Sequence, residues 1–365
     1  SDFAKKHNIP VTSTVMGLGC MDNDDPYYIG NIGGLGDKSS NNLSKDTDLA
    51  LAVGTKLADF TTGSWSNFEN EDFKLVSINT ARYDVAKHRS TPVISDAKIA
   101  FQELSKVLGD WKAPDVWFER AIKERTDWKN YVEKQSGPTN QELPSYAHAV
   151  GAVYRNSDPS DIVVTAAGGL VGEVIQVWRP KQKNTFESEW GFSCMGYEIS
   201  GALGIKMAKP DQDVVVFVGD GSYLLANSDI YSSVIYDKKL IIIVCDNGGH
   251  MVINRLQIAK GGKEYICNLR AARATNLQFV DFEAHAKSMG ANGETVTSTS
   301  ELEAAYLRAK KSDKTYVISI KTHGYEWLEG SAFWESPTSE IHTSEANKVA
   351  YKDFTEGKKK QRKGV

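Results

Sequence analysis

Two apolar runs, "DVVVFVG" from Asp213 and "KLIIIVCD" ending at Asp246, each break into a short polar turn. The first turn is Gly219-Asp220-Gly221 and the second is Asp246-Asn247-Gly248-Gly249. Strands buried on both faces of a parallel sheet read as continuous apolar runs, and both of these do. Residues 222–236, between the turns, are long enough for one crossover helix, so the segment predicts a βαβ unit. That unit places Asp220 and Asn247 at the carboxyl ends of two parallel strands, the edge at which open α/β sheets bind ligands. An aspartate oxygen, an amide oxygen and nearby backbone carbonyls form a hard-oxygen set suited to Mg²⁺ or Ca²⁺, and Mg²⁺ usually keeps phosphate oxygens in its shell. The glycines allow close backbone approach, and a helix starting at Ser222 offers N–H groups and a positive dipole end to an anion. The residues alone therefore suggest a metal–diphosphate site.

The rest of the chain alternates in the same way. Before it lie a strand near Val11–Thr14, a glycine-rich loop "IGNIGGLGDKSSNN", a strand "DLALAVGTKL" and a strand "FKLVSINT". An amphipathic helix "DAKIAFQELSKVLGDW" follows, with Ile99, Leu104, Val107 and Leu108 as its apolar positions. A charged helix at Trp117–Gln135 reads as a linker. A second α/β segment opens with a helix at Ser145–Tyr154 and adds the strands "DIVVTAA" and "TYVISIKT". Strands alternating with helices predict an α/β fold of two open parallel-sheet domains. The expected boundaries are a partial Rossmann-like central domain at 1–112, a helical linker at 113–144, a pyrophosphate-binding domain at 145–340 and a basic tail at 341–365. The tail ends in "GKKKQRKGV" and reads as a frayed, solvated segment. The opening "SDFAKKHNIPVTSTVMG" reads as the second half of a βαβ unit, so an N-terminal portion is expected to precede it.

Composition narrows the classes. The chain has 365 residues, 41% of them hydrophobic and 25% charged, an ordinary soluble balance. A net charge of -4 gives no global attraction to nucleic acid or to an anionic membrane. No apolar run is as long as a membrane span and no signal-peptide pattern opens the chain, so a cytoplasmic location is expected. The four cysteines, Cys20, Cys194, Cys245 and Cys267, form no CxxC pair, which argues against a disulfide framework or zinc site. The seven histidines show no metal-ligand spacing, and no phosphate-binding GxxxxGK[ST] loop is present.

Taken alone, GDG is a tight turn. With 24 residues between Gly221 and Asp246, and both turns on strand ends, the segment resembles the thiamin-diphosphate (ThDP) enzyme signature. The resemblance implies that Asp220 and Asn247 ligate Mg²⁺ through their side chains and Gly249 through its carbonyl. Gly219, Gly221 and Ser222 would bind the cofactor, with Gly221 and Ser222 contacting the diphosphate. The usual Asn-Asn pair is Asp246-Asn247 here, with the ligand-bearing second position kept. Upstream, "EWGFSCMGYEISGALG" matches a second segment of the family. Met195 would be the apolar wedge that bends the cofactor, and the Ser193 carbonyl would accept a hydrogen bond from the aminopyrimidine. Gly168, Gly169 and Leu170, in "TAAGGLVGE", are diphosphate-contact candidates.

Four segments, "EWGFSCMGYEI", "GDGSYLLANSDI", "DNGGHMVINRLQ" and "AVGTKLADFTTGSW", point to a narrower group. They resemble the ThDP-dependent hydrolases of cyclic 1,2-diketones in inositol catabolism, within the acetolactate-synthase-like superfamily. The resemblance implies hydrolysis of a ring carbon–carbon bond, giving a ring-opened deoxy-uronic acid. It also implies at least a homodimer, or a homotetramer. A pyrimidine-binding domain would precede the central domain and carry the activating glutamate, for which Glu69, Glu71 and Glu103 are not candidates. His250 stands where an aromatic residue is expected and is the candidate substrate contact or acid/base group. Two alternatives remain open: another ThDP lyase or synthase on 2-oxo acids, including a two-chain enzyme, or a cofactor-binding subunit without turnover.

Overall fold

In the computed structural model all named strands pair in parallel, and the strands at Val214–Gly219 and Ile241–Asp246 carry the continuous buried apolar runs of a parallel sheet. The structure describes residues 1–362, which fall into two compact units. The first contains Ser1–Asn130, Glu329–Ile341 and the chain from Val349 onward; the second contains Tyr131–Leu328 and His342–Lys348.

The first unit carries α1 (Asp2–His7), β1 (Val11–Ser13), β2 (Tyr28–Asn31), α2 (Lys38–Lys45), β3 (Leu49–Val53), β4 (Lys74–Asn79), α3 (Arg82–Ala86), β5 (Thr91–Ile94) and α4 (Ala97–Leu108). Strands β1 and β2 pair with each other, and β3-β4-β5 form a second parallel sheet. Strand β2 overlaps the start of the stretch expected to be a glycine-rich loop. Its four residues are all buried, and Gly30 takes a left-handed φ of 123° against the Asp37 carboxylate. Asp96 caps α4 by accepting the N–H groups of Lys98 and Ile99. The expected apolar stripe of α4 is only partly used, since Ile99 is 52% and Val107 83% exposed. The segment "AVGTKLADFTTGSW" supplies Ala52, Leu57 and Trp65 to a core shared with Phe68, Phe73 and Leu75.

The long helix α5 (Asp115–Gln135) leads into the second unit: α6 (Tyr146–Arg155), β6 (Ile162–Thr165), α7 (Leu170–Val177), β7 (Phe186–Ser188), α8 (Tyr197–Ala208), β8 (Val214–Gly219), α9 (Asp220–Leu225), α10 (Ser228–Ile235), β9 (Ile241–Asp246), α11 (Met251–Ala259), α12 (Phe282–Ser288), β10 (Asn292–Val296), α13 (Thr299–Lys311) and β11 (Tyr316–Lys321). Ser145 opens α6 with a capping box closed by His148. Among the described residues the strands form one six-stranded parallel sheet of order β10-β11-β9-β8-β6-β7. Val214–Val218 and Ile241–Cys245 are fully buried. Each such aliphatic side chain contributes about 2 kcal/mol of transfer free energy. On one face of the sheet Val214, Val216, Val218, Ile242 and Val244 pack with Ile199, Ala202, Tyr223, Ile230 and Phe282 from the covering helices.

Two expectations are corrected. The single crossover helix from Ser222 is two helices, beginning at Asp220 and interrupted at Ala226-Asn227. Asn227 donates from its side chain to the Tyr223 carbonyl, an alternative to continued helix at that point. The basic tail is not frayed: residues 345–359 form α14 (Glu345–Lys359). Lys358 pairs with Glu335 at 2.6 Å, Gln361 donates to the Ser64 carbonyl at 2.8 Å, and the Arg362 guanidinium lies 4.9 Å over the Phe73 ring. Positions 363–365 of the tail lie outside the described residues. No helix among the described residues is long and apolar enough to cross a membrane.

Candidate functional site

The sheet order locates the site. From β6 the chain passes outward to β7; from β8 it passes the opposite way to β9, although β6 and β8 are hydrogen-bonded neighbours. The crevice beyond the carboxyl ends of β6 and β8 is therefore a topological switch point, where doubly wound sheets bind ligands. The turn after β6 is Ala166-Ala167-Gly168-Gly169, and the turn after β8 is Gly219-Asp220-Gly221. Both lie on predicted segments.

Asp220 is the first residue of α9, directly after Gly219, and is 6% exposed. Its Oδ2 accepts the Gly249 N–H at 2.7 Å, joining the ends of β8 and the β9 turn. Burial, then the neighbouring Asp246 carboxylate, pushes the Asp220 pKa up to about 7. Asp246 is itself raised by burial, and its Oδ1 accepts the Gly248 N–H at 3.0 Å. Asn247 is 4% exposed. Its Nδ2 donates to the Tyr146 hydroxyl at 2.6 Å, while its Oδ1 is buried without a hydrogen-bond partner. Gly249 adopts φ 140°, and a Cβ there would lie 2.4 Å from the Cys267 carbonyl oxygen, so only glycine fits.

This arrangement fits a divalent cation. A buried amide oxygen without a partner is costly unless something occupies it. A buried carboxyl whose proton affinity is raised further by a neighbouring carboxylate is relieved by positive charge. No three His, Cys, Asp or Glu side chains group as a metal site among the described residues. A cation here would thus draw on amide, backbone and ligand oxygens beside Asp220. Gly219 adds to the fit: its φ of -77° is ordinary, and a Cβ would meet nothing nearer than the Tyr146 hydroxyl at 4.0 Å. Nothing in the protein demands glycine there, whereas a close-lying ligand would.

Ser222, in the first turn of α9, is buried, and its hydroxyl is already engaged. It donates to Glu198, with both carboxylate oxygens at 2.9 Å, and accepts the Gly196 N–H at 2.8 Å. Glu198 is 1% exposed and also accepts the N–H groups of Gly196 at 2.8 Å and Ala167 at 3.3 Å. Burial raises its pKa, against the opposing pull of those hydrogen bonds.

In the turn after β6, Gly168 has φ 83° with open space where a Cβ would stand. A Cβ on Gly169 would run into the Trp327 ring at 2.1 Å, so the indole lies against this turn. Leu170 is 2% exposed and its side chain belongs to the core, leaving its backbone to face a ligand. Trp327 meets Tyr146 edge-on at 5.6 Å, with the Arg255 guanidinium 5.1 Å from its ring. Glu173, one turn into α7, accepts the Leu328 N–H at 3.0 Å; burial pushes its pKa up to about 7.

The predicted wedge lies on an exposed loop. Glu189 accepts the N–H groups of Phe192 at 2.8 Å and Cys194 at 2.7 Å, and these bonds hold its pKa down. Ser193 is held in the left-handed region at φ 53°, and Met195 is 36% exposed. Gly196, φ 96°, sits against Ala226 in the break between α9 and α10, where a Cβ would come within 2.5 Å of the alanine methyl. His250 caps α11 and is exposed. Its ring lies over Gly221, where a Cβ would be 2.5 Å from Cε1.

The structure thus joins Asp220, Asn247, Gly249 and His250 around the first turn, and ties Ser222, Gly196 and the Gly168-Gly169 turn through Glu198. Glu198, Tyr146 and Trp327 escaped the sequence reading. Glu198 had a faint signal, the one acid in a helix rich in small and apolar residues. Tyr146 and Asn247 stand 101 positions apart, a separation that carries none.

Residues 1–104 match the thiamine pyrophosphate enzyme central domain, and residues 166–320 match the thiamine pyrophosphate enzyme C-terminal TPP binding domain. The chain is 31% identical, over 99% of its length, to a 3D-(3,5/4)-trihydroxycyclohexane-1,2-dione hydrolase of Geobacillus thermodenitrificans, covering 61% of that protein. It is 32% identical to the protein of the same name from Halalkalibacterium halodurans over 96% of the chain, and 31% identical to that of Lacticaseibacillus casei over 97%. It covers 59% of each of those two, so the chain spans about three fifths of the length of the curated relatives it matches. With the central and cofactor-binding domains both matched, and the switch-point crevice lined by the residues described above, the chain belongs to the thiamine pyrophosphate enzymes.

Proposed function

We propose that the crevice between β6 and β8 holds thiamin diphosphate and a divalent cation, Mg²⁺ by its oxygen donor set, and that the chain serves hydrolysis of a carbon–carbon bond in a cyclic 1,2-diketone. The observation that carries the cofactor assignment is the buried, unpartnered Asn247 Oδ1, in the same turn whose Gly249 N–H bonds Asp220. Asp220, Asn247 Oδ1 and the Gly249 carbonyl would hold the cation. The backbone of Gly168, Gly169, Leu170, Gly219, Gly221 and Ser222 would cradle the diphosphate. Met195 and the Ser193 carbonyl would meet the organic rings. When bound, the cofactor supplies a carbanion that adds to a substrate carbonyl.

His250, exposed over Gly221, is the residue of this chain assigned to the substrate side. The diketone itself is inferred from the relatives' printed name. A pyrimidine-binding domain, a homodimeric or homotetrameric assembly and a cytoplasmic setting complete the proposal. Isothermal titration with thiamin diphosphate and Mg²⁺ tests the cofactor site. Saturable binding that disappears in Asp220→Ala is expected; unchanged binding in that variant would overturn the assignment. Product analysis with a trihydroxycyclohexane-1,2-dione against pyruvate, with a pyrimidine-binding domain supplied, separates the hydrolase from a 2-oxo-acid lyase. Light scattering of the same sample tests the assembly.

A further inference from the structure

Glu198 is an ionisable side chain that the proposed chemistry does not use, yet it is almost wholly buried beside the cradle. Its carboxyl group accepts from three separate segments: the Ala167 N–H after β6, the Gly196 N–H before α8, and the Ser222 hydroxyl in α9. These are the three segments the cofactor assignment needs in register. The Gly196 N–H is shared between Glu198 Oε2 and Ser222 Oγ, each at 2.8 Å, so the contacts form one closed unit rather than separate bonds.

We propose that Glu198 is the positioning residue of the cofactor cradle: it locks three turns into one frame and claims the hydroxyl proton of Ser222, so that residue 222 presents its backbone N–H to the diphosphate. This rests on the cofactor assignment above. The claim about Ser222 follows from proton count. A serine hydroxyl has one hydrogen to donate, and here both nearest acceptors are the oxygens of Glu198 at 2.9 Å. A phosphate oxygen offers only lone pairs and cannot use the hydroxyl unless Glu198 releases it.

The test uses Glu198→Gln, which keeps the shape but replaces one acceptor oxygen with an NH₂. That group either opposes the Gly196 N–H, donor against donor, or gives up the Ala167 contact. A buried donor left unmatched is costly, so thiamin diphosphate affinity at saturating Mg²⁺ should fall about tenfold or more. Hydrogen exchange should quicken in peptides covering 166–170 and 194–198. Ser222→Ala should weaken binding no more than Glu198→Gln, and the double variant should match Glu198→Gln alone, because both changes break the same unit.

A purely structural glutamate would lower the melting temperature and leave the folded protein's affinity unchanged, which overturns the proposal. So does a Ser222→Ala loss that adds to that of Glu198→Gln, since the hydroxyl would then serve the cofactor directly. Failure of the wild-type chain to bind thiamin diphosphate defeats the cofactor assignment instead. Unchanged exchange at both peptides would in that case dismiss the Glu198 frame as well.

Discussion

The Asn247 amide donates from Nδ2 to the Tyr146 hydroxyl at 2.6 Å, and that bond decides which end of the amide is left for a cation. With the nitrogen engaged, Oδ1 is the free end, buried and without a partner. Groups that orient a metal ligand typically matter about 10- to 100-fold in metal affinity. Tyr146→Phe should therefore weaken Mg²⁺ binding by about that factor, measured by titration calorimetry, and cost about 1–3 kcal/mol of stability for the stranded NH₂. Equal Mg²⁺ affinity in the two proteins would show that the amide does not need the tyrosine.

The proposed cation ligand Asp220 is held against its own stability. Its pKa, pushed up to about 7 by burial and then by Asp246, means that ionisation is unfavourable in the cation-free fold. Asp220→Asn keeps an oxygen for the Gly249 N–H and removes the charge. At pH 8 without metal, this variant should melt at or above the wild-type temperature, while Mg²⁺ and cofactor binding are lost. A clear drop in its melting temperature at that pH would contradict this account.

The raised proton affinity of Asp220 also sets a pH dependence, and Glu173 shares it. Both carboxyls have pKa values of about 7 in the fold, against ordinary values of 3.8 and 4.5. Between the unfolded and folded values the native state holds more protons, so these groups make stability fall as pH rises from about 4 to about 7. Their contribution is fully present below the unfolded values and is lost above the folded ones. Denaturant unfolding without metal should give a higher unfolding free energy at pH 5.5 than at pH 8, once the same titration of the Asp220→Asn, Glu173→Gln double variant is subtracted. Every tenfold gain in proton affinity on folding corresponds to about 1.4 kcal/mol.

Two glycines of the site should respond differently to alanine. At Gly249 the new methyl meets the Cys267 backbone carbonyl at 2.4 Å with φ at 140°, so neither partner can yield cheaply. Gly249→Ala should cost about 2–4 kcal/mol and abolish metal binding. At Gly221 the obstacle is the exposed His250 ring, which can swing aside. Gly221→Ala should change stability by less than about 1 kcal/mol while shifting the His250 resonances in an NMR spectrum.

The parts legible in the sequence were those written in short range. Val214–Val218 and Ile241–Cys245 announced buried parallel strands, and the turns after them were correctly placed at strand ends. Strand β2 was hidden because Gly30 and the glycines that follow it read as loop, although Gly30 takes a positive φ within the strand. The break between α9 and α10 was hidden because a lone Asn227 bonding back to the Tyr223 carbonyl is a weak signal, and the Gly196 backbone that packs on Ala226 at the break is distant in sequence. The docking of the basic tail rests on aromatic and carbonyl partners nearly 300 positions away, Ser64, Trp65 and Phe73. Glu198 shows the same limit: an acid at the start of a helix is ordinary until the three segments it joins are seen together.

Asp220 follows Gly219 with no loop between them: one is the last residue of β8, paired with Cys245, and the other the first of α9. A ligand at Asp220 therefore meets a side chain whose backbone is fixed by a buried strand on one side and a helix on the other. Little conformational entropy is left there for binding to remove, and preorganisation of this kind spends less of the contact energy on ordering. Whatever entropy is lost when the crevice fills should come instead from the exposed loop carrying Phe192 to Met195, so shortening or stiffening that loop would alter the temperature dependence of binding more than any change at Asp220's backbone.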